Sequence, residues 1–412
     1  MNLMNIEQAV VRALDAEKIS EDLSRIVQIP SITGEERNIA EVLGEMAASY
    51  GLQSTIQEHD LEALRVHPDH PGEEASRDEL VGMSATLKGG PPGAPRLCLN
   101  GHIDVVSPGT VPWERDPWSG AVEDGFVHGR GSADMKGGVI AALHAVAAIR
   151  SAIGEVPGDI VLQAVPSEED GGAGTFAALE DDSDFAACII PEPTSFEVCC
   201  AQAGALTFEG TVPGVSAHAA MRLKGVSAID RYLPIHEALR EHERRINSSV
   251  EHPLMAELEL PYPISVGRIE AGQWSSQVPD TLRFEGRAGV RVGESIADVE
   301  AAVERTVHEA CPEAEISWTG GKFASAETPN DHPLVEAVRG SLADELEETP
   351  ELCGVPYGAD MRLFTDRGIP AVMVGTNGIE LAHAADERVS VEEVYTLARA
   401  LARSLVRMQF AE

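Results

Sequence analysis

Short apolar segments that end abruptly in histidine or acidic residues constrain the fold of this chain more than any other feature. Their length and composition are typical of buried β-strands, and an apolar, alanine-rich stretch that favours a helix lies between the first two. Strands that alternate with helices predict an open α/β sheet, in which functional residues lie beyond the carboxyl ends of the strands. The segments and the polar residues that follow them are 97–99 with His102 and Asp104, 160–165 with Glu168 and Glu169, and 188–190 with Glu192.

A region in the middle of the chain has a different pattern. From about residue 205 to 319, alternating apolar runs and two helix-like stretches follow the order strand, helix, two strands, helix, strand. Because 412 residues exceed the usual size of one hydrophobic core, two domains are expected. We predict an α/β protein whose open mixed sheet is formed by residues 1–204 and 320–412, with an inserted α+β domain at 205–319.

The charge of the chain excludes several partners. Acidic residues number 68 against 31 basic ones, which gives a net charge of -37, and the acids are spread along the whole sequence. Such a surface repels nucleic acid and anionic membranes, so neither is expected as a partner. A salt-rich cytoplasm and an ordinary acidic protein explain the charge equally well.

Other features indicate a cytoplasmic protein. The N-terminus lacks a basic segment followed by an apolar run, and the apolar run at 139–149 is too short to span a bilayer. Six cysteines without CxxC spacing are expected to be reduced core thiols. The polar stretch at 67–77 is interpreted as a solvated loop without assigned chemistry.

Two imidazoles and three carboxylates form the predicted metal site. Zinc in a hydrolytic site takes ligands of these types and keeps a position open for water. Five ligands exceed what one open site uses, whereas two zinc ions that share one carboxylate use all of them. Asp134 is the expected bridge, because it lies in a glycine-rich turn. The ligands are His102, Asp134, Glu169, Glu192 and His383.

Two further acids are assigned to the chemistry. Asp104 follows His102 by two positions, so its carboxylate is expected to accept a hydrogen bond from the imidazole; a turn-forming aspartate is the alternative. Glu168 adjoins Glu169, and adjacent side chains do not easily serve one metal. We therefore expect Glu168 to take a proton from the attacking water and deliver it to the leaving amine.

Together these motifs resemble a known family. In chain order they are similar to the signatures of the aminoacylase, acetylornithine deacetylase, succinyl-diaminopimelate desuccinylase and glutamate carboxypeptidase family, with the acetylornithine deacetylase-like branch as the nearest match. The motifs are GHxD at 101–104, GRGxxDxKGG at 129–138, EED at 168–170, EP at 192–193, SAH at 216–218 and the late His383.

The resemblance implies roles for the metal ligands. One zinc would be held by His102, Asp134 and Glu192, and the other by Asp134, Glu169 and His383. Two Zn²⁺ per chain are thus expected, with Co²⁺ or Mn²⁺ as alternatives. Glu168 matches the general acid/base of the family and Asp104 its histidine-orienting residue.

The resemblance also assigns the inserted domain and residues outside the metal site. The domain corresponds to a lid that joins two subunits edge to edge in a homodimer, and His218 to a histidine that reaches the active site of the partner subunit and stabilises an oxyanion. Arg287 matches a substrate-carboxylate arginine. Ser276 occupies a position where many relatives have Asn, which weakens the case for an α-carboxylate. Asp360 and Arg362 lie in a segment that resembles a substrate-binding one, or that alternatively caps the next helix.

The predicted reaction is hydrolysis of the amide bond of a small N-acyl amino acid or amine by zinc-bound hydroxide. Three alternatives stay open. The same site cleaves peptide bonds in di- or carboxypeptidases, and Ser276 leaves room for a deformylase or deacylase of an amine that lacks a carboxylate. A catalytically silent metabolite-binding relative is the non-enzyme alternative.

Overall fold

The computed structural model describes residues 2–90 and 93–410. The α-helices are α1 Leu3–Arg12, α2 Ala16–Val27, α3 Arg37–Ser49, α4 Leu61–Arg65, α5 Gly137–Ile153, α6 Ala173–Asp181, α7 Ala228–Asn247, α8 Ile296–Ala310, α9 Pro333–Leu346, α10 Met361–Thr365 and α11 Val391–Phe410. The strands are β1 Gln53–Glu58, β2 Val81–Leu87, β3 Leu97–His102, β4 Ala121–Glu123, β5 Phe126–His128, β6 Ile160–Val165, β7 Ala187–Ile190, β8 Val198–Gln202, β9 Gly204–Pro213, β10 Ala217–His218, β11 Ile264–Ala271, β12 Gln277–Val278, β13 Thr281–Val290, β14 Glu315–Phe323, β15 Ala326–Glu327, β16 Leu352–Val355, β17 Ala371–Met373 and β18 Arg388–Ser390.

The largest sheet among the described residues is mixed. Its order is β1-β2-β6-β3-β7-β17-β8-β15, with β16 paired to β8. The central strands β6, β3, β7 and β17 run parallel to one another, while β1 and β2 are antiparallel to their neighbours and β8 is antiparallel to β17. The predicted α/β class with an open mixed sheet is therefore confirmed.

The register of the parallel strands aligns their carboxyl ends. His102 lies opposite Val165 at the ends of β3 and β6, and Leu99 lies opposite Ile189 near the end of β7. Residues that follow these strands consequently emerge at one edge of the sheet. This is the edge where the sequence predicted a site.

Helix α5 is buried on every side. All residues from Gly137 to Ile149 are buried, which agrees with the all-round apolar, alanine-rich sequence of this stretch. At its start, a Cβ added to Gly138 would lie 2.0 Å from the carbonyl oxygen of Pro191, so a larger residue cannot fit there. The close approach brings the turn that contains Asp134 beside the segment that contains Glu192.

Among the described residues, one helical stretch meets the criteria of length and composition for crossing a membrane. It covers Ser132–Ile153, and 78% of its most apolar window is buried within the protein. Its α5 portion packs against α1, α2 and α11. A core helix meets the same criteria of length and composition.

The chain divides into two compact units. The first comprises the chain up to Cys200, Glu327–Cys353 and the chain from Leu363 onward; the second comprises Ala201–Ala326 and Gly354–Arg362. Within the second unit, Gly354 lies against Leu254 and the sulfur of Met255, and the guanidinium of Arg362 lies 4.0 Å from the centre of the Phe323 ring. These contacts explain why a segment remote in sequence groups with this unit.

The second unit contains an antiparallel sheet with the order β11-β13-β9-β14. Helices α7 and α8 pack on it, and its core includes Phe208, Phe284, Leu239 and Val303. Its main elements follow the predicted order of strand, helix, two strands, helix and strand.

Candidate metal centre

The structure brings the five predicted ligands to one edge of the large sheet. His102 is the last residue of β3, Glu169 follows β6, and Glu192 lies two residues beyond β7. Asp134 lies in the turn before α5, and His383 follows a short 3-10 helix at Ile379–Leu381.

His102 connects the first group of ligands. Its Nε2 lies 3.1 Å from Asp134 Oδ1 and 3.9 Å from Glu192 Oε1. All three side chains are largely buried, with relative exposures of 1%, 14% and 9% respectively. One imidazole and two carboxylates thus converge on one point.

His383 connects the second group. Its Nε2 lies 3.0 Å from Glu169 Oε2 and 3.7 Å from Asp134 Oδ2. Asp134 therefore presents one carboxylate oxygen to each group. This is the geometry that a bridging carboxylate requires.

The pKa shifts of the two histidines indicate an excess of negative charge around them. Burial disfavours the imidazolium form of His102, but the hydrogen bond with Asp134 and the charges of the surrounding carboxylates outweigh it and raise its pKa well above the usual value. Contact with Glu169 raises the pKa of His383. Burial opposes ionisation of Asp134, yet the hydrogen bond and charge of His102 lower its pKa. The carboxylates of the site therefore stabilise positively charged groups placed among them.

The donor set fits divalent metal ions. Ligand atoms of His102, Asp134 and Glu169 all lie within 4.8 Å of one another. Among the described residues, the ion-pair partners of Asp134 and Glu169 are imidazoles only, so no lysine or arginine neutralises these two carboxylates directly. Imidazole nitrogen and carboxylate oxygen are the ligands that zinc takes in hydrolytic sites.

Asp104 orients its neighbours in a way that differs from the expectation. The backbone carbonyl of Asp104, rather than its carboxylate, accepts the hydrogen bond from His102 Nδ1 at 2.9 Å; the nearest carboxylate oxygen lies at 3.7 Å. Strand β3 ends at His102, so the side chains no longer alternate and the carbonyl turns toward the ring. The bond fixes the tautomer that leaves Nε2 free to bind a metal.

The carboxylate of Asp104 holds the segment that contains Glu168. Its Oδ1 accepts from the backbone N–H of Glu168 at 3.1 Å and its Oδ2 from that of Glu169 at 3.2 Å. Burial raises the pKa of Asp104 to about 6. The negative charge of Glu168, which is itself buried, contributes to the raised pKa of His102. Glu168 thus lies within electrostatic reach of the ligands.

Arg77 is a residue of this site that sequence reasoning missed. The prediction of a solvated loop at 67–77 is wrong at the end of that stretch, because the Arg77 side chain is buried. Its Nη2 donates to both carboxylate oxygens of Asp170, at 2.7 and 2.6 Å. Asp170 Oδ1 also accepts from the hydroxyl of Ser167. Arg77 therefore helps to hold the segment of Glu168 and Glu169 through Asp170, in addition to the hydrogen bonds that Asp104 accepts.

Lys136 and Glu387 were missed as well. The Nζ of the buried Lys136 donates to the carbonyls of Ile26 and Ile29, and burial lowers its pKa to about 7. The carboxylate of Glu387 accepts from backbone N–H groups of the turn that contains Asp134. Both side chains hold this turn in place.

The other predicted residues lie in the second unit. His218 ends the short strand β10, is exposed, and accepts the N–H of Ala220 at its Nδ1. Ser276 is exposed, and its carbonyl accepts from the N–H of Ala219. Arg287 lies on β13 and is half-buried, and burial lowers the pKa of its guanidinium.

Asp360 and Arg362 are both almost fully buried, with 1% relative exposure. Arg362 Nη1 donates to the carbonyl of Ala359 at 2.7 Å and lies 3.5 Å from the carboxylate of Asp360. In this arrangement both side chains are engaged within their own unit.

Similarity to known proteins agrees with this geometry. The sequence profile of the peptidase family M20/M25/M40 matches residues 98–407, a stretch that contains all five ligands. The succinyl-diaminopimelate desuccinylase of Rhodopseudomonas palustris (strain BisA53) is 28% identical over 413 residues, which cover 96% of this chain and 99% of that protein.

Two further proteins are similar to this chain. The N-formyl-4-amino-5-aminomethyl-2-methylpyrimidine deformylase of Bacillus subtilis (strain 168) is 29% identical over 329 residues, which cover 72% of this chain and 76% of that protein. A dinuclear metal binding peptidase of the M20 family from Bacillus subtilis shares the fold, with a TM-score of 0.67 and 17% identity over 96% of this chain and 98% of that one. The chain therefore belongs to the peptidase family M20/M25/M40, whose members are metal-dependent hydrolases.

Proposed function

We propose that this protein hydrolyses the amide bond of a small N-acyl amino acid or amine, as an acetylornithine deacetylase-like deacylase with two zinc ions. The observation that carries the proposal is the position of Asp134, whose two carboxylate oxygens face His102 and His383 at 3.1 and 3.7 Å. A shared carboxylate between two imidazole-containing groups suits a pair of metals that acts on one carbonyl.

The zinc ligands divide between two ions. His102, Asp134 and Glu192 would hold one ion, and Asp134, Glu169 and His383 the other. Bound zinc lowers the pKa of water and polarises a carbonyl oxygen. Cobalt or manganese would be held by the same donors.

Glu168 is the proposed general base. Its backbone N–H donates to the carboxylate of Asp104, and it lies next to Glu169 in the chain. A carboxylate held in this way can accept a proton from the attacking water and transfer it to the amine nitrogen as the C–N bond breaks.

Arg287 is proposed to bind an anionic group of the substrate. Its guanidinium forms no hydrogen bond or ion pair with the described residues, although the side chain is half-buried. A partly desolvated guanidinium without a partner favours a carboxylate, which it can bind through two parallel hydrogen bonds. Ser276, Asp360 and Arg362 remain predicted contacts from sequence alone.

The second unit is proposed to form a homodimer. Strand β11 is at the edge of its sheet, next to α7, and apolar side chains on both are exposed: Ile229 by 42%, Leu233 by 59% and Ile269 by 51%. An exposed edge strand flanked by apolar residues favours pairing with a second copy. In such a dimer His218 would act on the active site of the partner subunit.

Mixing variants tests this arrangement. His218→Ala and Glu168→Gln homodimers should each be nearly inactive, and a mixture that has exchanged subunits should regain activity, because the His218→Ala subunit keeps its own Glu168 and receives His218 from its partner. Leu233→Glu should yield monomers in sedimentation experiments. Failure of the mixture to regain activity despite proven exchange would exclude a role for His218 across the dimer.

A cytoplasmic location is proposed as well. No disulfide joins any of the six cysteines in the described part of the chain, as expected in a reducing compartment. The net charge of -37 disfavours nucleic acid and anionic membranes as partners.

A substrate panel tests the proposed activity. Acetylated, succinylated and formylated amino acids should be hydrolysed by the zinc-loaded protein, and Glu168→Gln should abolish this turnover. Dipeptides belong in the same panel, and cleavage of dipeptides alone would replace the deacylase by a peptidase. No turnover of any member by a protein with full metal content would favour the silent relative.

A deformylase of an amine without a carboxylate is the second candidate. It is favoured by Ser276 and by the similarity to the pyrimidine deformylase over 72% of this chain. Arg287 distinguishes the two candidates, since Arg287→Met should raise KM for a substrate with a carboxylate and leave KM unchanged for a formylated amine without one.

A further inference from the structure

Glu387 has an unusual set of partners for a buried carboxylate. The residue is 1% exposed, and its Oε1 accepts the backbone N–H groups of Ala133 at 2.9 Å and Asp134 at 3.2 Å. Its Oε2 accepts the N–H of Gly131 at 3.0 Å and Nη1 of Arg130 at 2.6 Å. One carboxylate thus organises the turn that contains the bridging ligand.

The local backbone makes this arrangement feasible. Gly131 has φ 80°, a left-handed conformation that glycine adopts at little cost, and successive N–H groups of such a turn can point toward one anion. A buried carboxylate is costly unless it is paired and hydrogen-bonded, and Arg130 supplies the opposite charge. Arg130 is held in turn by Trp113, whose ring centre lies 5.1 Å from the guanidinium carbon.

Glu387 also joins two ligand-bearing segments of the chain. It follows the ligand His383 by four positions, and its own carbonyl accepts the N–H of Gly129 at 2.9 Å. The turn of Asp134 and the segment of His383 are therefore connected through both the backbone and the side chain of a single residue. A shift of either segment would change the spacing of the two ligand groups.

We propose that Glu387 is a positioning residue for the metal pair: it fixes the backbone of Asp134 so that each carboxylate oxygen faces one of the two ligand groups. The inference rests on the proposed two-metal function, and it adds a residue that contacts neither metal nor substrate. Its negative charge is essential, because an amide in its place would direct an N–H₂ group at either the backbone N–H groups or Arg130.

Replacement of Glu387 by glutamine tests the inference. Glu387→Gln should weaken metal binding by about 10–100-fold, the range found when groups that support metal ligands are removed. Metal affinity is measured by competition with a chelator, and the visible absorption of the cobalt-substituted protein reports the ligand geometry. Both measurements are independent of substrate.

Glu7→Gln is the matched control. Glu7 is likewise buried and accepts from two arginines, with Arg403 Nη1 at 3.0 Å and Arg407 Nε at 2.9 Å, but it lies on α1 away from the ligand segments. The Glu7→Gln variant should lower the free energy of unfolding and leave metal affinity and the cobalt spectrum unchanged.

The outcomes separate the inference from the proposed function. A wild-type chain that binds no divalent metal would refute the proposed function itself. A wild-type chain that binds two ions, together with a Glu387→Gln variant of equal affinity and spectrum, would refute the positioning role alone. If Glu387→Gln does not fold, Glu387→Asp decides by the same measurements, because its shorter side chain cannot reach all four donors: weakened affinity supports the role, and unchanged affinity overturns it.

Discussion

A histidine–aspartate pair in the metal centre can be compared with another in the core of the first unit, because their surroundings differ. In the metal centre, His102 Nε2 lies 3.1 Å from Asp134; between α5 and α2, His144 Nε2 lies 3.0 Å from Asp22. The two pairs have almost the same nitrogen–oxygen distance, and all four side chains are largely buried. Distance and burial therefore do not distinguish a metal centre from a structural ion pair.

The balance of donors and carboxylates distinguishes them. Asp22 is a single carboxylate that accepts from His144, from the hydroxyl of Tyr50 and from Lys18 Nζ at 2.9 Å. Burial opposes its ionisation, but these donors lower its pKa to about 2. In the metal centre, by contrast, the ion-pair partners of Asp134 and Glu169 among the described residues are imidazoles, and no lysine or arginine contacts these two carboxylates directly. A divalent cation would neutralise these carboxylates, whereas Asp22 already accepts hydrogen bonds from a lysine, a histidine and a tyrosine.

The comparison predicts that only one of two matched variants changes the metal content. Asp134→Asn should reduce bound zinc from about two ions to less than one per chain and reduce activity to background, because both groups of ligands lose their shared member. Asp22→Asn, an equally small change, should keep the wild-type metal content in elemental analysis. Wild-type content in Asp134→Asn would remove the distinction.

Replacement of a residue beside the ligands should separate catalysis from binding. Glu168→Gln should lower kcat by about 10²–10⁴-fold, the usual contribution of a general base, while metal content stays at the wild-type level. Steady-state kinetics and elemental analysis on the same sample provide the check. Loss of metal in this variant would make Glu168 a ligand instead of the base.

The cluster around Asp22 should contribute to stability only. Asp22→Asn should lower the free energy of unfolding at pH 7 by about 2 kcal/mol, since hydrogen bonds to a charged group are weakened. The folded-state pKa is depressed from 3.8 to about 2, so this contribution is present above about pH 4 and is lost as the pH falls toward 2. Urea unfolding at several pH values should show the difference between wild type and variant shrinking in that window. A constant difference would contradict the assignment.

Added salt should stabilise the protein through its surface charges and leave the ion pairs of the two buried clusters unchanged. With a net charge of -37, the surface repels itself, and molar KCl should raise the thermal midpoint of the wild type by a few degrees. The midpoint of Asp22→Asn should rise equally, because buried pairs are screened much less than exposed charges. A flat response would favour an ordinary acidic protein over adaptation to a salt-rich cytoplasm.

The features that could be predicted from the sequence are local. His102, Glu169 and Glu192 follow apolar strands within a few residues, and the parallel register of β3, β6 and β7 then brings them together. The α/β class follows from the same alternation of strands and helices. The order of strands, helices and polar residues along the chain is therefore enough to predict these three candidate ligands and the fold class.

The missed features depend on contacts between remote segments. Arg77 pairs with Asp170, and Glu387 with the turn at Gly131, yet neither residue belongs to a periodic pattern. Each left a weak signal: Arg77 is basic within an acidic stretch, and Glu387 shortly follows a predicted ligand. The direction of Asp104 was missed because it depends on where β3 ends, and sequence patterns locate element ends less well than elements.

The burial of α5 on all sides has a consequence for the opening motions of the protein. Backbone amides exchange with deuterated water only when their hydrogen bonds open, and those of a helix without an exposed face open chiefly in global unfolding. The amides of α5 should therefore be among the last to exchange. Asp134 lies three residues before the start of this helix, so the candidate site is anchored to the part of the first unit that we expect to open least often. The spacing of its side chains can then persist while peripheral segments fluctuate.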